Sequence, residues 1–156
     1  MIQRIQTLLL LLAVVSCITA VFLPMATYRT VDNTGILIVF MSGYENATAA
    51  HEVLPSMFFV LLIDILLAAI IFITIFLFRR RALQIRLNNI SKLVNIALLV
   101  VFFITISQIE KSGVVVTPTT YNIGAYLILA PFIFVVLANM AIRRDEKKVR
   151  AADRLR

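Results

Sequence analysis

The sequence predicts an all-α membrane protein: a four-transmembrane-helix bundle with both termini in the cytoplasm and a small extracytoplasmic β-hairpin or three-stranded sheet. Three observations predict it. Four apolar runs reach spanning length, the basic residues fall almost entirely on one side of those runs, and the two connections on the other side read as strands. A hydrocarbon core of roughly 30 Å takes about 20 helical residues at about 1.5 Å each. The runs Ile5 to Pro24, Leu54 to Phe78, Ile90 to Ile109 and Tyr121 to Ala141 all meet that length. With 62% hydrophobic residues in 156 and a mean hydropathy of +1.00, no polar surface remains for a soluble domain. A single membrane domain over 1–156 is expected, with any chemistry confined to the bundle or its short connections.

The first run begins beside Arg4 and contains Val14-Val15-Ser16-Cys17, which has the form of a lipoprotein cleavage site. The apolar stretch continues through Ile18 to Leu23, however, so Cys17 is expected to stay inside a span. As the only cysteine, it excludes an intramolecular disulfide and a thiolate metal cluster.

Between the first two runs, residues 25–53 carry a strand-like pattern. Tyr28 to Val31 leads into the turn signal Asp32-Asn33-Thr34-Gly35, and Ile36 to Met41 is rich in β-branched and aromatic residues. A hairpin follows. Val114 to Thr117, in the second outer connection (112–120), supplies a third strand, which matters because an isolated hairpin is marginal in water.

The second run holds Asp64, about ten residues in, where an ionisable group costs about 2.5 to 3.5 kcal/mol. Ser16 and Thr19 in the first run, Thr105 in the third and Tyr126 in the fourth sit at depths from which a hydrogen bond to it is conceivable. Such a residue is either a proton or cation site or a polar clamp between helices, worth about 1 to 2 kcal/mol in model peptides. Asn95, Gln108 and Asn139 lie nearer the ends of the third and fourth runs, where polar side chains bridge helices as ordinary packing. Pro131 removes a backbone donor in mid-span and predicts a kink, with Gly124 permitting a close helix contact nearby.

Thirteen of the fifteen basic residues lie at the start, between or beside runs two and three, or after run four. Arg29 and Lys111 alone share the opposite side, with Asp32, Glu45, Glu52 and Glu110. Retention of Lys and Arg in the cytoplasm therefore places both termini there. The net charge of +7 is explained by this topology and by anionic lipid headgroups, so nucleic acid is not an expected partner. Residues 142–156 lack Gly and Pro and predict a helical extension into the cytoplasm. Glu146 and Arg150 are spaced i, i+4, while Val149, Ala152 and Leu155 form a thin apolar stripe.

The opening Met1-Ile2-Gln3-Arg4-Ile5-Gln6-Thr7 and the closing segments Leu137-Ala138-Asn139, Arg143-Arg144-Asp145-Glu146 and Val149-Arg150-Ala151-Ala152-Asp153-Arg154-Leu155-Arg156 resemble a four-pass membrane family of Bacteroidota bacteria, domain of unknown function 4293. The resemblance covers the whole chain. It implies a bacterial inner-membrane protein, and it directs attention to the cytoplasmic face, with Arg4, Arg143, Arg144, Asp145, Glu146, Arg150, Asp153 and Arg154 as interaction residues.

No catalytic set is expected. His51 is the only histidine, and no metal-ligand cluster, cofactor motif or glycine-rich phosphate loop accompanies it. The leading expectation is a non-enzymatic accessory or assembly protein, binding a protein partner or a second copy of itself through the basic tail or the outer sheet. The alternative is a small transporter or channel component that uses Asp64.

Overall fold

The computed structural model describes residues 3–30, 35–46, 49–52, 55–111 and 115–153. Helix α1 (Gln3–Phe22) leads into strands β1 (Ala26–Thr30), β2 (Ile36–Phe40), β3 (Gly43–Asn46) and β4 (Ala49–Glu52). Helix α2 (Pro55–Phe76) returns and turns through a single 3₁₀ turn, Leu77–Arg79, into α3 (Arg81–Lys111). Strand β5 (Val115–Tyr121), the short α4 (Ile123–Leu127) and α5 (Ala130–Asp153) complete the chain. Four of the helical stretches are long and apolar enough to cross a membrane. The α2–α3 turn, the start of α1 and the end of α5 lie at one end of the bundle, here the tail face; the strands lie at the other, the sheet face.

The long helices pack as a ring, α1 against α2, α2 against α3, α3 against α5 and α5 against α1. Their buried positions explain why. On α2 these are Met57, Val60, Asp64, Leu67, Ile71 and Thr74, and on α3 Gln84, Asn88, Ser91, Asn95, Leu98 and Phe102. On α1 they include Gln6, Leu10, Ala13, Cys17 and Ala20. Steps of three and four alternate throughout, the 3.5-residue spacing that keeps one seam facing its neighbours in a left-handed bundle. Residues off the seam, such as Phe58, Phe59, Leu62, Ile65 and Leu66, are exposed, as suits helices solvated by lipid on their outer faces.

The third helix begins nine residues before the apolar run that predicts it, at Arg81 rather than Ile90. Residues expected to form a basic linker are helical, and the connection is only the turn that ends at Arg80. Arg80 closes it by donating its amide to the Leu77 carbonyl at 2.9 Å and accepting from Gln84 at 3.1 Å. A helix in a bundle needs one buried stripe, not an apolar circumference, and α3 keeps its stripe through this polar stretch.

The sheet is larger than the expected two or three strands. It has five, in the order β4-β3-β2-β1-β5, all pairs antiparallel. The central hairpin pairs Ala26 with Val39 and Tyr28 with Leu37, and all four of these side chains are buried. That face rests on the helix ends, sharing one core with Met25, Met41 and Met57. The register slips between Thr27 and Arg29 where β5 pairs with β1; the extra residues on β5 include Pro118, which has no amide to give and is tolerated on an edge strand.

Sheet and bundle are joined at one tight point. Met25 donates to Val39 O at 2.7 Å, Asn122 donates its backbone amide to Met25 O at 2.9 Å, and Gly124 donates to Pro24 O at 3.1 Å. The Asn122 side chain reaches Thr27 Oγ1 at 2.6 Å. A Cβ on Gly124 would stand 2.5 Å from Pro24 O and 2.8 Å from Leu23 O, so only glycine allows the approach.

Candidate functional site

Asp64 is 1% exposed, on the seam of α2 midway along the bundle. Its carboxyl lies beside the Cys17 thiol of α1, and its Oδ1 is buried without a partner. The other residues set at its depth by sequence do not supply that partner. Ser16 Oγ donates to Ala13 O at 2.8 Å, Thr19 Oγ1 to Val15 O at 2.7 Å and Thr105 Oγ1 to Val101 O at 2.9 Å. Each hydroxyl thus serves its own helix, as Ser and Thr commonly do. Thr19 points outward, and Tyr126 is 63% exposed on the outer surface.

Polar side chains continue from Asp64 toward the tail face on α3. Gln84, Asn88, Ser91 and Asn95 are all buried, one per step of the seam. Gln84 Nε2 donates to Thr74 O of α2 at 3.4 Å. Counting about ten residues from that contact along both antiparallel helices brings Asp64 and Asn95 to one depth, roughly 15 Å further in. Asn95 Nδ2 donates to the Ile128 carbonyl at 3.2 Å, inside the break between α4 and α5. That break is the kink expected at Pro131, whose missing amide leaves the preceding turn without its normal donor; Leu129 N reaches back to Tyr126 O at 3.1 Å instead. On α5, Asn139 Nδ2 donates to Asn89 Oδ1 at 3.1 Å. Asn95 is thus a bridge between elements, and Asn95→Leu is expected to weaken the bundle by about 1 kcal/mol, in line with interhelical hydrogen bonds in membranes. Thermal unfolding in detergent measures this through the reactivity of the buried Cys17 thiol toward a fluorogenic maleimide.

At the tail face Gln6 Nε2 donates to Asp145 Oδ2 at 3.0 Å, tying the start of α1 to α5. Arg143 and Arg144 are exposed. Arg4, Glu146, Arg150 and Asp153 lie within helices whose backbone alone is described there, and Arg154 lies outside the described residues. Among the described residues no three His, Cys, Asp or Glu side chains gather as a metal would need.

Gln6, Gln84 and Asn88 are not singled out by their sequence context, and Cys17 stands out there only as a lone cysteine in a lipoprotein-like motif, not as a neighbour of Asp64. Their signal was spacing: Gln84, Asn88, Ser91 and Asn95 continue in phase into Leu98 and Phe102.

Four long apolar helices around one buried seam define a multi-pass membrane protein. The chain belongs to the family described as domain of unknown function DUF4293, whose family model matches residues 2–155. No curated protein matches it.

Proposed function

We propose that this chain is a non-enzymatic component of a bacterial inner membrane, with both termini in the cytoplasm, that binds a protein partner through the basic end of α5. The observation that carries the reading is the continuity of α5. It runs without interruption from Ala130 to Asp153, so beyond Asp145, where Gln6 of α1 meets it, the helix continues for roughly 12 Å. Along it the sequence supplies Lys147, Lys148 and Arg150 together with Val149 and Ala152 at i, i+3 spacing, a composition suited to an acidic, amphipathic protein segment and to anionic headgroups around it. The outer sheet, with β4 and β5 as its edges, offers a second contact surface.

Affinity purification from native membranes in mild detergent, with the intact chain and with residues 149–156 deleted, tests the reading. A stoichiometric companion that is recovered with the intact chain and drops at least about tenfold on deletion, equivalent to about 1.4 kcal/mol, is the expected result. Equal recovery with both chains would refute it.

A second reading has its own observation. The unpartnered Oδ1 of Asp64, deep in the span, supports a proton or cation site in a small transporter or channel component.

A further inference from the structure

We infer that the polar seam of α3 is a hydrated access route, opening at the tail face and ending on Asp64, so that this carboxyl exchanges protons with one side of the membrane only. The inference rests on the reading of Asp64 as a proton site and adds the direction and the path.

The unsatisfied atoms mark the route. Asn88 is 0% exposed, yet both its Nδ2 and its Oδ1 lack a partner, as do Asn95 Oδ1, Asn139 Oδ1 and Asp64 Oδ1. Each unpaired group in a bundle surrounded by hydrocarbon costs several kcal/mol, and the four such atoms on Asn88, Asn95 and Asp64, along the α3 stripe and at its inner end on α2, are satisfied together by a short file of water. Buried water takes two to four polar partners, and Asn88, Asn95 and Asp64 supply both donors and acceptors. Ser91 adds little, because its hydroxyl already donates to Leu87 O at 3.0 Å.

The seam is asymmetric. From Asp64 toward the tail face every step on α3 is polar, down to Gln84 at the level of Thr74. On α3 the next steps toward the sheet face are Leu98 and Phe102, both buried and apolar, whereas α1 and α2 carry apolar seam residues in both directions, Leu10, Ala13, Leu67 and Ile71 toward the tail face and Ala20, Val60 and Met57 toward the sheet face. Apolar side chains on α3 leave water no polar partners there. The group interacting with Asp64 from a neighbouring helix is the Cys17 thiol on α1; the uncharged Asn95 on α3 lies at the same depth along the bundle. The nearest charge in the α3 sequence, Lys92, lies off the seam and is half-exposed. A proton arriving along the file therefore binds a carboxylate oxygen of Asp64, with the water chain reoriented behind it.

Infrared spectroscopy of the full chain in lipid nanodiscs at acid pH tests the route. The carboxylic carbonyl stretch belonging to Asp64 is the band lost in Asp64→Asn, and its shift on transfer to D₂O reports exchange. In the natural protein that shift is expected within the mixing time. Asn88→Leu should slow it by at least about tenfold, since a leucine breaks the water file with apolar material, whereas Phe102→Leu on the sealed side should not. Asn88→Leu removes unpaired polar atoms at similar volume, so it is expected to fold; Ser91→Val provides a second plug, and Cys17 reactivity on heating checks both. If the band exchanges at the natural rate in both plugged variants, the route is wrong while the Asp64 site stands. If it fails to exchange in the natural protein, site and route both fall.

Discussion

Gly124→Ala is expected to lose roughly 3 kcal/mol or more of bundle stability, the upper end for forcing a methyl group into packed surroundings. The added Cβ meets two carbonyl oxygens, Pro24 O at 2.5 Å and Leu23 O at 2.8 Å. Both belong to the backbone at the end of α1, so no side-chain rotation relieves the overlap. Either α4 withdraws or α1 gives up its last turn. Withdrawal breaks the Gly124 N to Pro24 O and Asn122 N to Met25 O hydrogen bonds, each worth about 1 kcal/mol, and loosens the Met25 to Val39 contact through which β2 is held to the bundle. The effect should therefore appear in two places: a lower midpoint of Cys17 exposure on heating, and faster hydrogen exchange in β1 and β2. Ala69→Val, which adds bulk on the exposed side of α2, is the control and should leave both unchanged. An unaltered midpoint in Gly124→Ala would show that the α1–α4 approach can relax.

Apolar length was the most legible feature of this sequence, because crossing a hydrocarbon slab fixes it. The four spans, the kink at Pro131, the close approach at Gly124 and the continuation of α5 into the tail all follow from local residue types. So does the central hairpin, whose turn signal and β-branched run stand out. The segment of β3 and β4 is less legible, since Gly43-Tyr44-Glu45-Asn46 has no strong strand pattern and becomes a strand by pairing with β2, an edge that would otherwise be open. The start of α3 was hidden for a different reason. Counting apolar residues finds where a helix meets lipid, but the first turns of α3 meet α2 and α5, and only the phase of Gln84, Asn88 and Ser91 reveals them. The partner of Asp64 was obscured by chemistry. Hydroxyls are the stronger hydrogen-bonding groups, yet Ser16, Thr19 and Thr105 spend theirs on backbone carbonyls one turn away, which leaves the thiol of Cys17 on the seam.

Asp64→Asn is expected to abolish proton or cation movement while changing the stability of the bundle by no more than about 1 kcal/mol, the scale of one interhelical polar contact. Asparagine keeps the shape of the side chain and an acceptor for the Cys17 thiol, but it cannot bind and release a proton. The measurement is flux into proteoliposomes carrying an internal pH indicator, with the natural protein and the variant reconstituted at equal density and empty vesicles as background. Flux in the natural protein and background in the variant would assign the movement to this carboxyl. Natural and variant vesicles both at background would leave Asp64 as a clamp between α1 and α2, and would leave partner binding as the role of the molecule. The tail deletion supplies the reciprocal comparison. The end of α5 beyond Asp145 and the seam around Asp64 lie at different depths, so a chain shortened by residues 149–156 should keep flux and lose its companion, and Asp64→Asn should do the reverse. Loss of both properties in either variant would mean that the two regions act as one unit, coupled through α5, which packs beside α3 at its kink and is held to α1 at Asp145.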